Sequence, residues 1–109
     1  MTVDQTKIID SVRDAYNGKE VILSIIDHLT WDQNEGEHLL LIQEKMNTYL
    51  AFIESGQLDT DFPHLKGREV VIIWFGKYPL SEQAKTFYRL ASGAISKAGF
   101  RLEFELVPH

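Results

Sequence analysis

The stretch Glu69-Val70-Val71-Ile72-Ile73-Trp74-Phe75 decides the fold. Its unbroken apolar run leaves no polar side, so it reads as a strand covered on both faces at the centre of a sheet. Gly76-Lys77-Tyr78-Pro79 breaks the strand. Ser81 is then placed to cap a helix with apolar positions Ala84, Phe87, Leu90, Ala91, Ala94, Ile95 and Ala98, closing at Gly99. Phe100 to Val107 alternates, with Phe100, Leu102, Phe104 and Leu106 on one side and Arg101, Glu103 and Glu105 on the other. Such a strand is half-covered, so one side of the sheet faces water there.

Upstream, Gln57 to Gly67 is the longest connection and is expected on the surface. Before it lies a helix in which Leu39, Ile42, Met46, Tyr49, Leu50 and Ile53 recur at three and four residues and so form one stripe. Asn34 and Glu37 are spaced like a cap and its reciprocal acid, and Gly56 is placed to end the helix. Glu20 to His28 carries apolar side chains on both faces and reads as an interior strand. Asn17-Gly18 supplies a two-residue hairpin turn back to a first strand over Asp10 to Tyr16. Thr2 to Ile9 is a short helical turn capped by Asp4 or an irregular lead-in.

The order is ββαβαβ. Strand-helix-strand units cross over right-handedly, which makes strands two, three and four parallel and the first antiparallel to the second. The polar side of the last strand puts both helices on one face of a mixed four-stranded sheet. The expected architecture is a two-layer α/β (α+β) sandwich in a single domain over residues 1–109.

Composition narrows function. With 109 residues the chain has room for one core. Its net charge of −5, from 11 basic and 16 acidic residues, opposes binding to a phosphate backbone, so no nucleic-acid partner is expected. No apolar run approaches the roughly 18 residues of a membrane span. The opening Met1 to Lys7 lacks the basic and apolar regions of a secretory signal, and there is no cysteine. The expectation is a cytoplasmic protein with no thiolate chemistry.

Asp27-His28-Leu29-Thr30-Trp31, then Glu37 to Lys45 and Tyr49 to Gly56, together resemble a family of short, mainly bacterial proteins known only as a domain of unknown function. Gly76 to Pro79 and the final alternating strand are similar too, so the resemblance covers nearly the whole chain. It implies a family and assigns no catalytic residue.

In sheets with parallel strands, ligands bind outside the carboxyl ends of the strands. Here that edge gathers Asp27, His28, Trp31, Glu37 and His38 after the second strand and Lys77 and Tyr78 after the third. These are the candidate ligand-binding residues. Three chemical readings stand side by side: a divalent metal on His28, His38 and a carboxylate; a histidine base with an acidic orienter; and an anionic or aromatic ligand held by helix N-termini, Lys77, Tyr78 and Trp31. A purely structural reading also accounts for them. Asp27 then accepts backbone hydrogen bonds, His28 holds the loop, Trp31 plugs the first helical turn and His38 is a polar residue at the helix start. His64 and His109 read as a loop residue and a chain end.

With helices on one face only, strands apolar on both faces leave hydrocarbon uncovered. Ile22, Ile26, Ile72 and Trp74, or Val71 and Ile73 in place of the last two, are the candidate interface. A large exposed apolar patch implies a partner, and twofold self-pairing is the commonest solution. The resulting expectation is a non-enzymatic homodimer or protein-binding module without cofactor or assigned metal. By size and charge it could neutralise a basic partner, as small immunity proteins do. The alternative is a ligand-binding or metal-dependent site at His28, His38 and Lys77.

Overall fold

The computed structural model describes residues 3–107. Its elements are β1 (Ser11–Asp14), β2 (Glu20–Asp27), α1 (Glu35–Glu54), α2 (Gln57–Asp61), a 3-10 turn (Pro63–Leu65), β3 (Glu69–Gly76), α3 (Glu82–Lys97) and β4 (Arg101–Leu106). The sheet order is β1-β2-β3-β4, with β1 antiparallel to β2 and the remaining pairs parallel. Thr2, with which the expected lead-in begins, and His109 lie outside the described residues.

One core lies between the sheet and the helices. Val21, Leu23 and Ile25 of β2, Val70, Ile72 and Trp74 of β3 and Leu102 of β4 pack with Ile42, Met46 and Tyr49 of α1 and Ile95 of α3. Both long helices therefore cover the same face. Ser81 caps α3 as its spacing predicts, its hydroxyl accepting from the Ala84 N–H at 3.1 Å. Gly76 is buried in the same layer, where a Cβ would come within 2.6 Å of the Phe104 ring.

Several local expectations are corrected. Asn34 does precede α1, but its backbone is left-handed and its side chain makes no capping bond. The Asn34–Glu37 box is therefore absent. Asn17 does not form a two-residue turn. Positive φ falls on Tyr16 and Gly18, and the Asn17 side chain instead accepts from the Lys19 and Glu20 N–H groups. The connection from Gln57 to Gly67 is partly internal, since α2 and the 3-10 turn bury Leu58 and Leu65 in the core. Residues 3–10 form turns and irregular chain, and Val3 is buried with its N–H donating to Ile26.

A buried polar network joins that lead-in to α1. Lys45 is fully buried in the sheet-facing stripe, and its ammonium donates to Asp10 Oδ1 at 2.8 Å and to the carbonyls of Gln5 and Ile8 at 2.7 and 2.6 Å. The other oxygen of Asp10 accepts from Ile26 N–H at 2.8 Å. The Tyr49 hydroxyl accepts from Asp10 N–H and donates to the Ser24 carbonyl. Burial raises the Tyr49 phenol above its usual range, so it stays a donor.

The helix-free face differs from the expected bare patch. Parallel register pairs Ile22 with Val71 and Ile26 with Phe75, so these residues share that face. Ile72 and Trp74, expected to share an interface with Ile22 and Ile26, point the opposite way and are completely buried against the helices. Val71 and Ile73 lie on the helix-free side yet are only 2% and 7% exposed. Arg101 crosses β3 to reach Glu20 on β2 at 2.8 Å, and also contacts Glu69 and Glu103. Its stem and the flanking carboxylates shield the hydrocarbon beneath, as long charged side chains can. Ile26 remains 39% exposed at the carboxyl end.

Two measurements check these assignments. Lys45→Met leaves the Asp10 carboxylate buried without its cation, and urea denaturation is expected to show a loss of about 3–5 kcal/mol. Adding Asp10→Asn, which keeps an acceptor for Ile26 N–H while removing the charge, should recover part of that loss. The second concerns acid. Hydrogen bonds from Asn17 and then Arg101 hold the Glu20 carboxyl below its usual 4.5. A carboxyl lowered in the folded state stabilises fully above its unfolded value, and the contribution fades as pH falls through the folded one. Arg101→Gln should therefore lower the melting temperature at neutral pH, and the gap from the parent should narrow below about pH 4.

Candidate functional site

Asp27 ends β2 on its helix-facing side, and its carboxylate organises the corner where the chain turns into α1. Oδ1 accepts from Leu29 N–H at 3.1 Å, and Oδ2 accepts from the Trp74 indole N–H at 3.0 Å. Both oxygens lie within 2.8 Å of His38 Nε2. The other ring nitrogen of His38 lies 3.0 Å from the Thr30 carbonyl. An acceptor therefore stands at each ring nitrogen, the Asp27 carboxylate at one and the Thr30 carbonyl at the other.

Aromatic rings close this pair off from solvent. Trp31 stacks on His38 with ring centroids 3.6 Å apart and an interplanar angle of 15°. Its other contact is edge-on with Trp74 at 6.2 Å. Trp74 in turn meets Phe87 and Phe104 edge-on at 6.2 and 5.4 Å. Trp31 both stacks on the His38 ring and covers it. Asp27 and His38 are both buried and every polar atom of the pair has a partner.

The seven candidate ligand residues therefore do not converge. Asp27, His38 and Trp31 form the internal cluster. Glu37 is exposed and lines a shallow cleft of about 290 Å³ with Asp4, Thr30, Gln33 and Asn34, and the buried His38 also contributes to its wall. His28 and Lys77 border a concavity of about 520 Å³ on the helix-free side, floored by Ile26, Phe75 and Val107. Tyr78 is exposed, with the Lys77 ammonium 5.7 Å from its ring. Alternation separates the two histidines: Asp27 points to the helices, so the chain leaving it carries His28 away from His38. Among the described residues, no group of three His, Cys, Asp or Glu side chains is placed to hold a metal ion. No helix among them is long and apolar enough to cross a membrane.

The lead-in network escaped the pattern-based reading. Lys45 follows His38 by seven residues, the spacing that returns a side chain to the same helix face, and that spacing is the available signal. A stripe with basic residues at both positions calls for two buried acids. Asp27 and Asp10 supply them.

The model of a family of unknown function (DUF6572) matches residues 1–108. The chain belongs to that family. No curated protein and no solved structure matches it. Family membership thus agrees with the resemblance carried by the corner motif and brings no activity with it. In this member of DUF6572, Asp27 of the corner motif pairs with His38 of α1.

Asp27→Ala would leave His38, the Trp74 indole and Leu29 N–H without an acceptor in a buried corner. A loss of about 3–5 kcal/mol is expected in chemical denaturation. Tryptophan emission should shift to the red as the Trp74 indole loses its acceptor and the corner opens to water. Glu37→Ala, at the exposed position next to His38, should leave stability within about 0.5 kcal/mol of the parent and emission unchanged.

Proposed function

We propose that this protein is a non-enzymatic, cytoplasmic binding module that takes a compact amphipathic anion at the carboxyl end of its helix-free sheet face. The concavity bordered by His28 and Lys77 carries the reading. Its floor of Ile26, Phe75 and Val107 suits an apolar body, while the two basic side chains suit an acidic head. The place agrees with where parallel sheets hold ligands.

Charge sharpens the ligand class. In a chain of net charge −5, the outward ionisable groups of this lining are basic. Asp27 contributes to the wall but commits its carboxylate to the interior. Glu105, paired with Phe75 in β4, stands outside the lining and disfavours a second negative charge on that flank. A single carboxylate, sulfonate or phosphate joined to a ring or short chain meets these constraints. The commitment of Asp27 to three donors and of both His38 ring nitrogens to hydrogen bonds supports binding over catalysis at this corner. The cysteine-free composition supports the reducing compartment.

Titration with anilinonaphthalene sulfonate, an aromatic sulfonate whose emission rises in apolar surroundings, tests the reading. Saturable one-to-one binding to natively folded protein is expected. Lys77→Glu should weaken it about tenfold or more, and Ile26→Glu should remove it. Absence of binding to the parent, or equal binding by both variants, rejects the site.

A further inference from the structure

The outer surface of the helical layer carries features that folding alone does not require. Between α1 and α3 runs a groove of about 340 Å³, with Met46, Leu50, Phe87, Ala91 and Ile95 among its lining and only Gln43 and Asn47 as polar members. Leu90 lines it and is 73% exposed. On α1, Leu40 is 56% exposed. Single exposed leucines are ordinary, but a leucine standing beside an uncharged apolar groove is both a knob and part of a hole.

Gly93 adds a second observation. It lies inside α3 on the exposed side, where glycine is less favourable than alanine, and a Cβ there would meet nothing within 4 Å. No contact within the chain accounts for its lack of a side chain. With Ala94 next to it, α3 presents a low ridge beside Leu90 that another helix can approach closely.

Charge identifies the occupant. The exposed charged residues of α1 are Glu37, Glu44 and Glu54, all acidic, since its lysine, Lys45, is buried. Those of α3 are Lys85, Arg89 and Lys97, with Glu82 as its one acid, paired to Lys85 at 3.2 Å. Lys7 sits with Glu44 and Thr48 beside a hollow of its own. The layer is thus divided into an acidic helix and a basic helix with a neutral groove between them.

Two such surfaces facing each other about a twofold axis along the groove bring each acidic α1 over the partner's basic α3. An axis across the helices would set acid on acid. We propose that two copies of this protein pair through the helical layer, with the twofold axis along the groove and each Leu90 entering the groove of the other copy. The surface is self-complementary in shape and in charge, as an isologous interface must be. Helices of about 24 and 30 Å, each about 10 Å wide, give a footprint on the order of 500 Å² per copy. That falls below the roughly 800 Å² of a standard interface, so a reversible dimer with a dissociation constant on the order of 10–100 μM is expected.

Sedimentation equilibrium over a concentration series from about 5 μM to about 1 mM tests the pairing. The average mass should climb from 12.5 kDa towards twice that value. Leu90→Glu should hold the protein monomeric. Gly93→Gln should weaken pairing about tenfold or more while raising the monomer's melting temperature, a combination that general destabilisation does not produce. Glu44→Lys and Arg89→Glu should each weaken the dimer, and the double charge exchange should restore it, because α1 then faces α3 with both signs reversed. Circular dichroism confirms folding of each variant, all four positions being exposed. A monomer at every concentration overturns the proposal, as does a dimer that Leu90→Glu and Gly93→Gln leave intact. Failure of the double exchange to recover pairing overturns the axis along the groove. Ile26→Glu, on the opposite face, should leave the dimer unchanged, which separates this surface from the anion site.

Discussion

Two buried basic side chains on one stripe of α1, each held by an aspartate from the sheet side of the molecule, tie the layers together. His38 meets Asp27 at the end of β2, and Lys45 meets Asp10 just before β1. Seven residues of helix separate the two basic side chains by roughly 10 Å. Replacing such pairs by hydrocarbon can be energetically neutral, whereas leaving one member alone is costly. Their consequence here is register. Sliding or rotating α1 by one residue would strand these buried polar groups in an apolar core, so the helix has one seat on the sheet.

That seating also determines which chemistry faces outward. An imidazole beside a carboxylate resembles the start of an acid-base site, and in this corner both groups are already committed within the fold. Asp27 serves three donors and His38 serves two acceptors, with Trp31 laid over the ring. The groups that remain free to meet a ligand are those the pleat turns away, His28 and Lys77, on the side without helices. Interior polarity therefore secures the frame, and the exposed basic groups stand on the other side of the sheet.

The apolar run of β3 and the alternation of β4 made the sheet topology and the one-sided helices legible from residues alone, because both patterns record burial directly. The corner was legible as a place. Its geometry was not, since Asp27 and His28 are neighbours in the chain and only the pleat sends them to opposite sides. Asn34 shows a different limit: its residue type suits a cap, but a left-handed backbone turns the side chain away. Lys45 was obscured because lysine is ordinarily a surface residue, and its burial depends on Asp10, thirty-five positions earlier.

The helix-free face carries the most instructive departure. Apolar residues on both sides of a strand ordinarily imply two covering layers, yet a sheet of only four strands is narrow enough for side chains from its edges to reach the middle. Arg101 does this from β4, crossing β3 to Glu20, and its aliphatic stem lies where a third layer would otherwise be needed. The shield stops at the amino-terminal half of the parallel strands, because Glu20, Glu69 and Arg101 all belong to that end. Towards the carboxyl ends the corresponding positions are Ile26, Phe75 and Glu105, with no cation to bind them together. Uncovered hydrocarbon is thereby confined to the end of the sheet where loops supply His28 and Lys77, so an apolar floor and basic groups coincide as a result of how the rest of that face is closed.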